Sequence, residues 1–152
     1  MTDLLSPADV QRLLADPSAD TRAEMAAKVA LEFKRGALTP QERRIAEEIV
    51  RAMTRDAVMR VREALAEHLK DSPHLPRDAA LTLARDVDKV AVLVLQHSQV
   101  LSDEDLITLM QNASSAKLKA IAALKQETML SVLERLIEAE LERTLKQEKK
   151  SS

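Results

Sequence analysis

The chain of 152 residues has no cysteine, no tryptophan and no tyrosine, and only one phenylalanine (Phe33) and one glycine (Gly36). Each shortage removes a class of structure. Without cysteine there is no disulfide framework, no thiol nucleophile and no thiolate-ligated zinc or iron–sulfur centre. With one glycine, the tight turns of β-hairpins, which hold residues at positive φ, are almost unavailable. A core with one aromatic must be filled by leucine, alanine, valine, isoleucine and methionine, the usual filling of packed helices. Charge lacks a dominant sign, with 23 basic against 25 acidic residues and a net −2. Both signs are spread over the two halves, so neither half has the basic excess that grips a phosphate backbone. No apolar run approaches the ~20 residues of a membrane-spanning helix. The opening residues MTDLLSPADV lack the basic and apolar regions of a secretory signal. The expectation is a cytoplasmic chain with no membrane segment, no metal and no cofactor.

What is present suits a folded domain: 45% apolar and 32% charged residues, in a chain long enough to bury roughly 68–70% of its unfolded surface. Three stretches, LSPAD (5–9), LTPQE (38–42) and LSDED (101–105), repeat one pattern of leucine, Ser/Thr, two residues and a carboxylate. That is a helix N-cap with its capping box, and Pro7 and Pro40 stand at N1, where the missing N–H costs nothing. LPRDAALTLARD (75–86) keeps the proline and the acid but lacks a hydroxyl cap. The run VAVLVL (90–95) contains three β-branched residues, yet no other segment offers the alternation of a partner strand. A lone strand would leave its ladder groups unpaired. The run therefore reads as the middle of a helix covered by neighbours on most sides.

The periodicity predicts helices near 7–15, 20–35, 40–55, 56–70, 77–86, 88–98, 103–113, 115–125 and 127–149. Their short connections force antiparallel neighbours, and helix pairs recurring every ~30 to 40 residues indicate a stack of α-hairpins. The predicted fold is all-α, a short right-handed α-α superhelix of helix pairs. Residues 1–126 form the repeat domain. Residues 127–152 form an amphipathic capping or extension helix with a disordered tail.

With the pairs aligned, the chain resembles HEAT-like repeats, whose first helices often carry Asp…Val-Arg-x-x-Ala-x-x-x-Leu. Asp56 followed by VREALAEHL (61–69) is the best match. The run LARDVDKVAVLVLQHSQVLSDEDLITLM (83–110) also resembles the core signature of an uncharacterised alphaproteobacterial family known only as a domain of unknown function. In that family a Leu-Ala-x-Asp element leads into a Val-Ala…Leu helix and then Ser-x-Val-Leu-Ser-Asp-x-Asp-Leu. The resemblance spans roughly residues 13–123 and is specific only in 83–110. It implies a helical-repeat fold in a bacterial, cytosolic setting, and no activity.

His68, His74 and His97 are scattered without a ligand-pair spacing, which favours polar helix ends over a metal site. The acids Asp86, Asp88, Asp103, Glu104 and Asp105 lack a calcium-loop pattern, and the last three complement a helix N-terminus. Arg22 and Arg62 occupy equivalent repeat positions, where a basic side chain pairs with an acid of the next repeat. With Ile45, Ile49 and Met53 turned inward, Arg44, Glu48, Arg51 and Arg55 line the opposite helix face. That row is either a partner-binding face or a solvated surface tied by local ion pairs. Leu133, Ile137, Leu141 and Leu145 form a stripe that either caps the stack or zips to a second copy.

No catalytic residue is identified. The expected function is a non-catalytic protein–protein interaction module, a scaffold or adaptor presenting a concave helical surface to another protein. The alternatives are a nucleic-acid-binding or processing enzyme on the same scaffold, and a structural element that forms a homodimer through its C-terminal helix. Nucleic acid is the less favoured partner, because base flipping calls for a basic groove and stacking aromatics.

Overall fold

The computed structural model describes residues 15–151. Among them are seven α-helices and no strand: α1 (Ala19–Arg35), α2 (Pro40–Met53), α3 (Met59–Leu69), α4 (Arg77–Ala84), α5 (Asp88–His97), α6 (Asp103–Met110) and α7 (Ser115–Ser151). The protein is all-α. The helix predicted at 7–15, with its LSPAD cap, lies outside the described residues.

Helix starts follow the capping chemistry. Thr39 and Glu42 form a reciprocal capping box at α2, with Pro40 behind the cap, and Ser102 and Asp105 form another at α6. The Ser18 hydroxyl caps α1 by accepting from the Thr21 N–H at 3.3 Å. At the other end of α1, Gly36 takes φ +68°, the left-handed stop for which glycine is suited. The α2–α3 turn is held by Asp56, whose carboxylate accepts the Val58 N–H at 2.9 Å. For that reason α3 begins at Met59 rather than at 56.

The helices pack in alternation. α1 lies against α3, α3 against α5 and α5 against α7, while α2 packs on α1 and α3, α4 on α5, and α6 on α7. One apolar cluster joins Val29 and Phe33 of α1, Val50 of α2, Leu65 and Leu69 of α3, Leu83 of α4, and Val90 and Val94 of α5. A second joins Ala84, Ala91, Leu95, Leu106, Ala120 and Ile121. Helix α5 stands between them, with Val90 and Val94 in the first cluster and Ala91 and Leu95 in the second. This explains the six-residue apolar run: the helix has a core on each of two sides.

Three expectations are corrected. The helices predicted at 115–125 and 127–149 are one helix of 37 residues, because nothing in Lys125, Gln126 or Glu127 breaks the backbone pattern. The boundary placed at 126 falls inside that helix, and the helix continues to Ser151, where a disordered tail was expected. Helix α6 ends at Met110 rather than near 113: Gln111 is extended at ψ 124°, and Asn112 follows it left-handed at φ 65°.

Two substitutions test this packing. Leu95→Ala, at a side chain 1% exposed, should lower unfolding free energy by about 3 kcal/mol through lost burial and a residual cavity. Gly36→Ala has room, since a Cβ there would meet only the His74 ring at 3.9 Å. It should nonetheless cost about 1–2 kcal/mol, because an L-residue is strained at that φ. Urea unfolding of the three chains measures both.

Candidate interaction surfaces

Arginine–aspartate forks tie successive helix pairs together. Arg22 of α1 donates from Nε and Nη2 to the Asp56 carboxylate at 2.9 and 3.2 Å. Arg62 of α3 donates from Nη1 to the Asp56 carbonyl at 2.7 Å, and from Nε and Nη2 to the Asp86 carboxylate at 2.6 and 3.0 Å. Two arginines therefore converge on one turn, and the second reaches forward to the next turn, before α5. Bidentate pairs of this kind fix direction as well as distance.

A second set of forks joins the even-numbered helices. Arg51, in the last turn of α2, donates to Asp78 in the first turn of α4 at 2.8 Å. Arg77, next to Asp78, donates from Nε to Asp105 of α6 at 2.9 Å, and a second bond links Arg77 Nη2 to the other oxygen. The spacings are 27 and 28 residues. That near-equality is the signal that would have revealed these forks in the sequence, where Asp105 was read only as a cap. Asp105 serves both purposes, accepting the Ser102 N–H at 3.0 Å as well.

Three of the forks lower the titration of their carboxylates, those of Asp56, Asp78 and Asp105. Arg77 first, then the Ser102 N–H, keep Asp105 far below the ordinary carboxylate range. The Arg51 fork lowers Asp78, and the Arg22 fork lowers Asp56.

The predicted row on α2 divides. Arg44, Glu48 and Arg55 are exposed, whereas Arg51 is half-buried and held by Asp78 and Glu48. The inward face is also rotated from the expected one. Ala46 and Val50 are buried and Ile49 and Met53 half-buried, but Ile45 is 52% exposed and lies among the charged residues. Ala46 and Val50 take its place because they lie on the side covered by α1 and α3. Arg44 and Arg55 form no ion pair among the described residues.

Where α7 leaves the body, a cleft of about 580 Å³ opens between the α5–α6 connection and α7, lined by Asp71, His97, Gln99, Asp103, Lys125 and Thr128 among others. His97 is half-buried there, His68 is exposed on α3 and His74 lies beside Gly36. Among the described residues, no group of three or more histidine and acidic side chains is placed to hold a metal ion. No helix among them is long and apolar enough to cross a membrane.

Beyond the cleft, α7 carries Met129, Leu130, Leu133, Leu136, Ile137, Leu141 and Leu145, each 47–65% exposed. Of the four residues expected to zip, Leu133, Ile137 and Leu141 share one side of the helix. Leu145 lies about 120° round from Leu133 at 3.6 residues per turn.

The Arg62–Asp86 fork is largely enclosed, with side-chain exposures of 17% and 10%. Arg62→Ala should cost about 2 kcal/mol, and a double-mutant cycle with Asp86→Ala should return a coupling above about 1 kcal/mol. Unfolding midpoints of the four chains supply the cycle. Asp56, Asp78 and Asp105 all titrate lower in the folded chain, so their contribution is complete above the unfolded carboxyl range near about pH 4 and declines below it. Stability to urea should therefore be level from about pH 7 to 5 and fall beneath about pH 4. Asp105→Asn should make that fall shallower.

No protein-family model matches the chain, and neither the curated proteins nor the solved structures contain a match to it.

Proposed function

We propose that this chain is a short HEAT-like α-solenoid, a right-handed superhelix of helix pairs, that works as a non-catalytic adaptor by binding another protein across its even-numbered helices. The observation that carries the reading is the outer face of α2. Most arginines at the helix-pair junctions are committed to forks, but Arg44 and Arg55 are exposed and unpaired among the described residues. Ile45, 52% exposed, stands beside Arg44, and Arg55 lies in the turn just past the end of the helix. An exposed apolar side chain beside one uncommitted guanidinium group, with a second at the end of the helix, suits an amphipathic segment with an acidic edge, docked as a helix in a groove. The ion pairs from Arg51 to Asp78 and from Arg77 to Asp105 hold α2, α4 and α6 in register behind that face. A rigid support lets the exposed side chains bind with little loss of conformational entropy.

The test keeps the forks intact. The double substitution Arg44→Glu and Arg55→Glu should reduce recovery of bound protein in a quantitative pull-down at least tenfold. The free energy of unfolding should stay within about 0.5 kcal/mol of the parent, as for surface sites generally. Undiminished recovery of the same partners would remove this face from the reading.

A further inference from the structure

The junctions between odd-numbered helices follow one rule twice and break it at the third. Arg22 reaches Asp56 in the turn before α3, and Arg62 reaches Asp86 in the turn before α5. Each acid also accepts a backbone N–H of its own turn, from Val58 at 2.9 Å and from Val87 at 2.7 Å. In the turn before α7 the matching position is Asn112, second after the end of α6 as Asp86 is second after the end of α4. The matching donor position on α5 is Val92, six residues past Asp86 as Arg62 is six past Asp56. Neither partner of a third fork is present.

A pocket of about 250 Å³ opens at this junction. Arg85 lines it from the end of α4, Thr108, Gln111 and Asn112 from the end of α6 and the turn beyond, and Lys117 from the first turn of α7. The rest of the lining is alanine and leucine, and no acidic side chain takes part. Asp88, whose carboxylate accepts the Ser114 hydroxyl at 2.7 Å, lies outside the lining. Among the described residues, Arg85 and Lys117 form no ion pair, and the side-chain amides of Gln111 and Asn112 form no hydrogen bond. Arg85, the C-cap of α4, has that helix's dipole in its favour. Lys117 has the dipole of α7 against it, in a first turn without an acidic residue.

We propose that this pocket binds the phosphate group of a small molecule, restoring at the third junction the negative charge that Asp56 and Asp86 provide at the first two. Two uncommitted cations match the charge of about −1.5 to −2 on a phosphate monoester at neutral pH, whereas a carboxylate would balance only one. A guanidinium offers such a group a planar fork, an ammonium a compact charge, and two amides further donors. Pockets for drug-sized ligands start at about 300 Å³, so the molecule is a small one, with a short apolar part against the alanine and leucine lining. Arg85 and Lys117 are no part of the α2 face, and this site and the adaptor reading stand or fall separately.

Amide spectra of the isotope-labelled full chain, titrated with sodium phosphate and with glycerol phosphate at constant ionic strength, test the proposal. The signals of Gln111, Asn112 and Lys117 should move to saturation at millimolar concentration with at least one of the two. Whichever binds more tightly shows whether the group arrives free or esterified. Glycerol should move none of them, and acetate should bind at least about tenfold more weakly. Arg85→Gln and Lys117→Gln should each weaken binding about tenfold, the scale of one hydrogen bond to a charged group. Asn112→Asp is the sharper variant, since it puts a carboxylate back at a residue type that tolerates positive φ. It should keep the spectrum of the folded chain and abolish binding. Shifts that stay linear with both phosphates, acetate binding as tightly as phosphate, or saturation that survives Asn112→Asp would each overturn the proposal.

Discussion

Helix α5 must be covered on two sides at once, and the arrangement of the other helices follows from that demand. Val90 and Val94 belong to one apolar cluster, Ala91 and Leu95 to the other. A helix on the edge of a bundle needs one apolar stripe; this one needs two, and α3 and α7 supply the covers. Two covers on different sides of one helix extend a row rather than close a ring. The same geometry continues outward, with α1 on the far side of α3 and the open side of α7 at the other end.

Hydrophobic contact sets this order but is a poor ruler, since leucine and valine pack acceptably over a range of rotations. The forks supply the ruler. A planar guanidinium bonded through two nitrogens to one carboxylate has few positions, and each fork spans two helix pairs. Asp56 shows how this works: its side chain takes Arg22 while its carbonyl takes Arg62, so one turn registers against both α1 and α3. These pairs are partly solvated, and their main contribution is alignment rather than large net stability. Arg44 on α2 and Arg55 in the turn after it are left outside such pairs.

Much of the fold was legible because its signals are local. Capping boxes at Thr39 and Ser102 depend on four neighbouring residues, and both are formed. The apolar run at 90–95 excluded a strand by the lack of a partner anywhere in the chain. Boundaries depending on a single backbone angle were less visible: Asn112 is of a residue type that accepts the left-handed conformation but was not read as a stop, and nothing near Gln126 stops a helix. On α2 the periodicity offered two adjacent sets, Ile45–Ile49–Met53 and Ala46–Val50, and hydrophobicity favoured the larger side chains. The smaller ones, Ala46 and Val50, are the buried pair, joined to the cluster shared with α1 and α3. The even-helix forks were missed for a different reason: a charged pair 27 or 28 residues apart has no local signature, and only the repeat of that spacing gives it away.

The second apolar cluster has six buried members, three of them alanines (Ala84, Ala91 and Ala120). Small side chains shed little surface on burial, so the cohesion holding α6 and α7 to α5 is weaker per residue than that among α1 to α5, where Phe33, Leu65, Leu69 and Leu83 are enclosed. The molecule is graded along its length, so an opening at the α7 end should cost less than one at the Phe33 end.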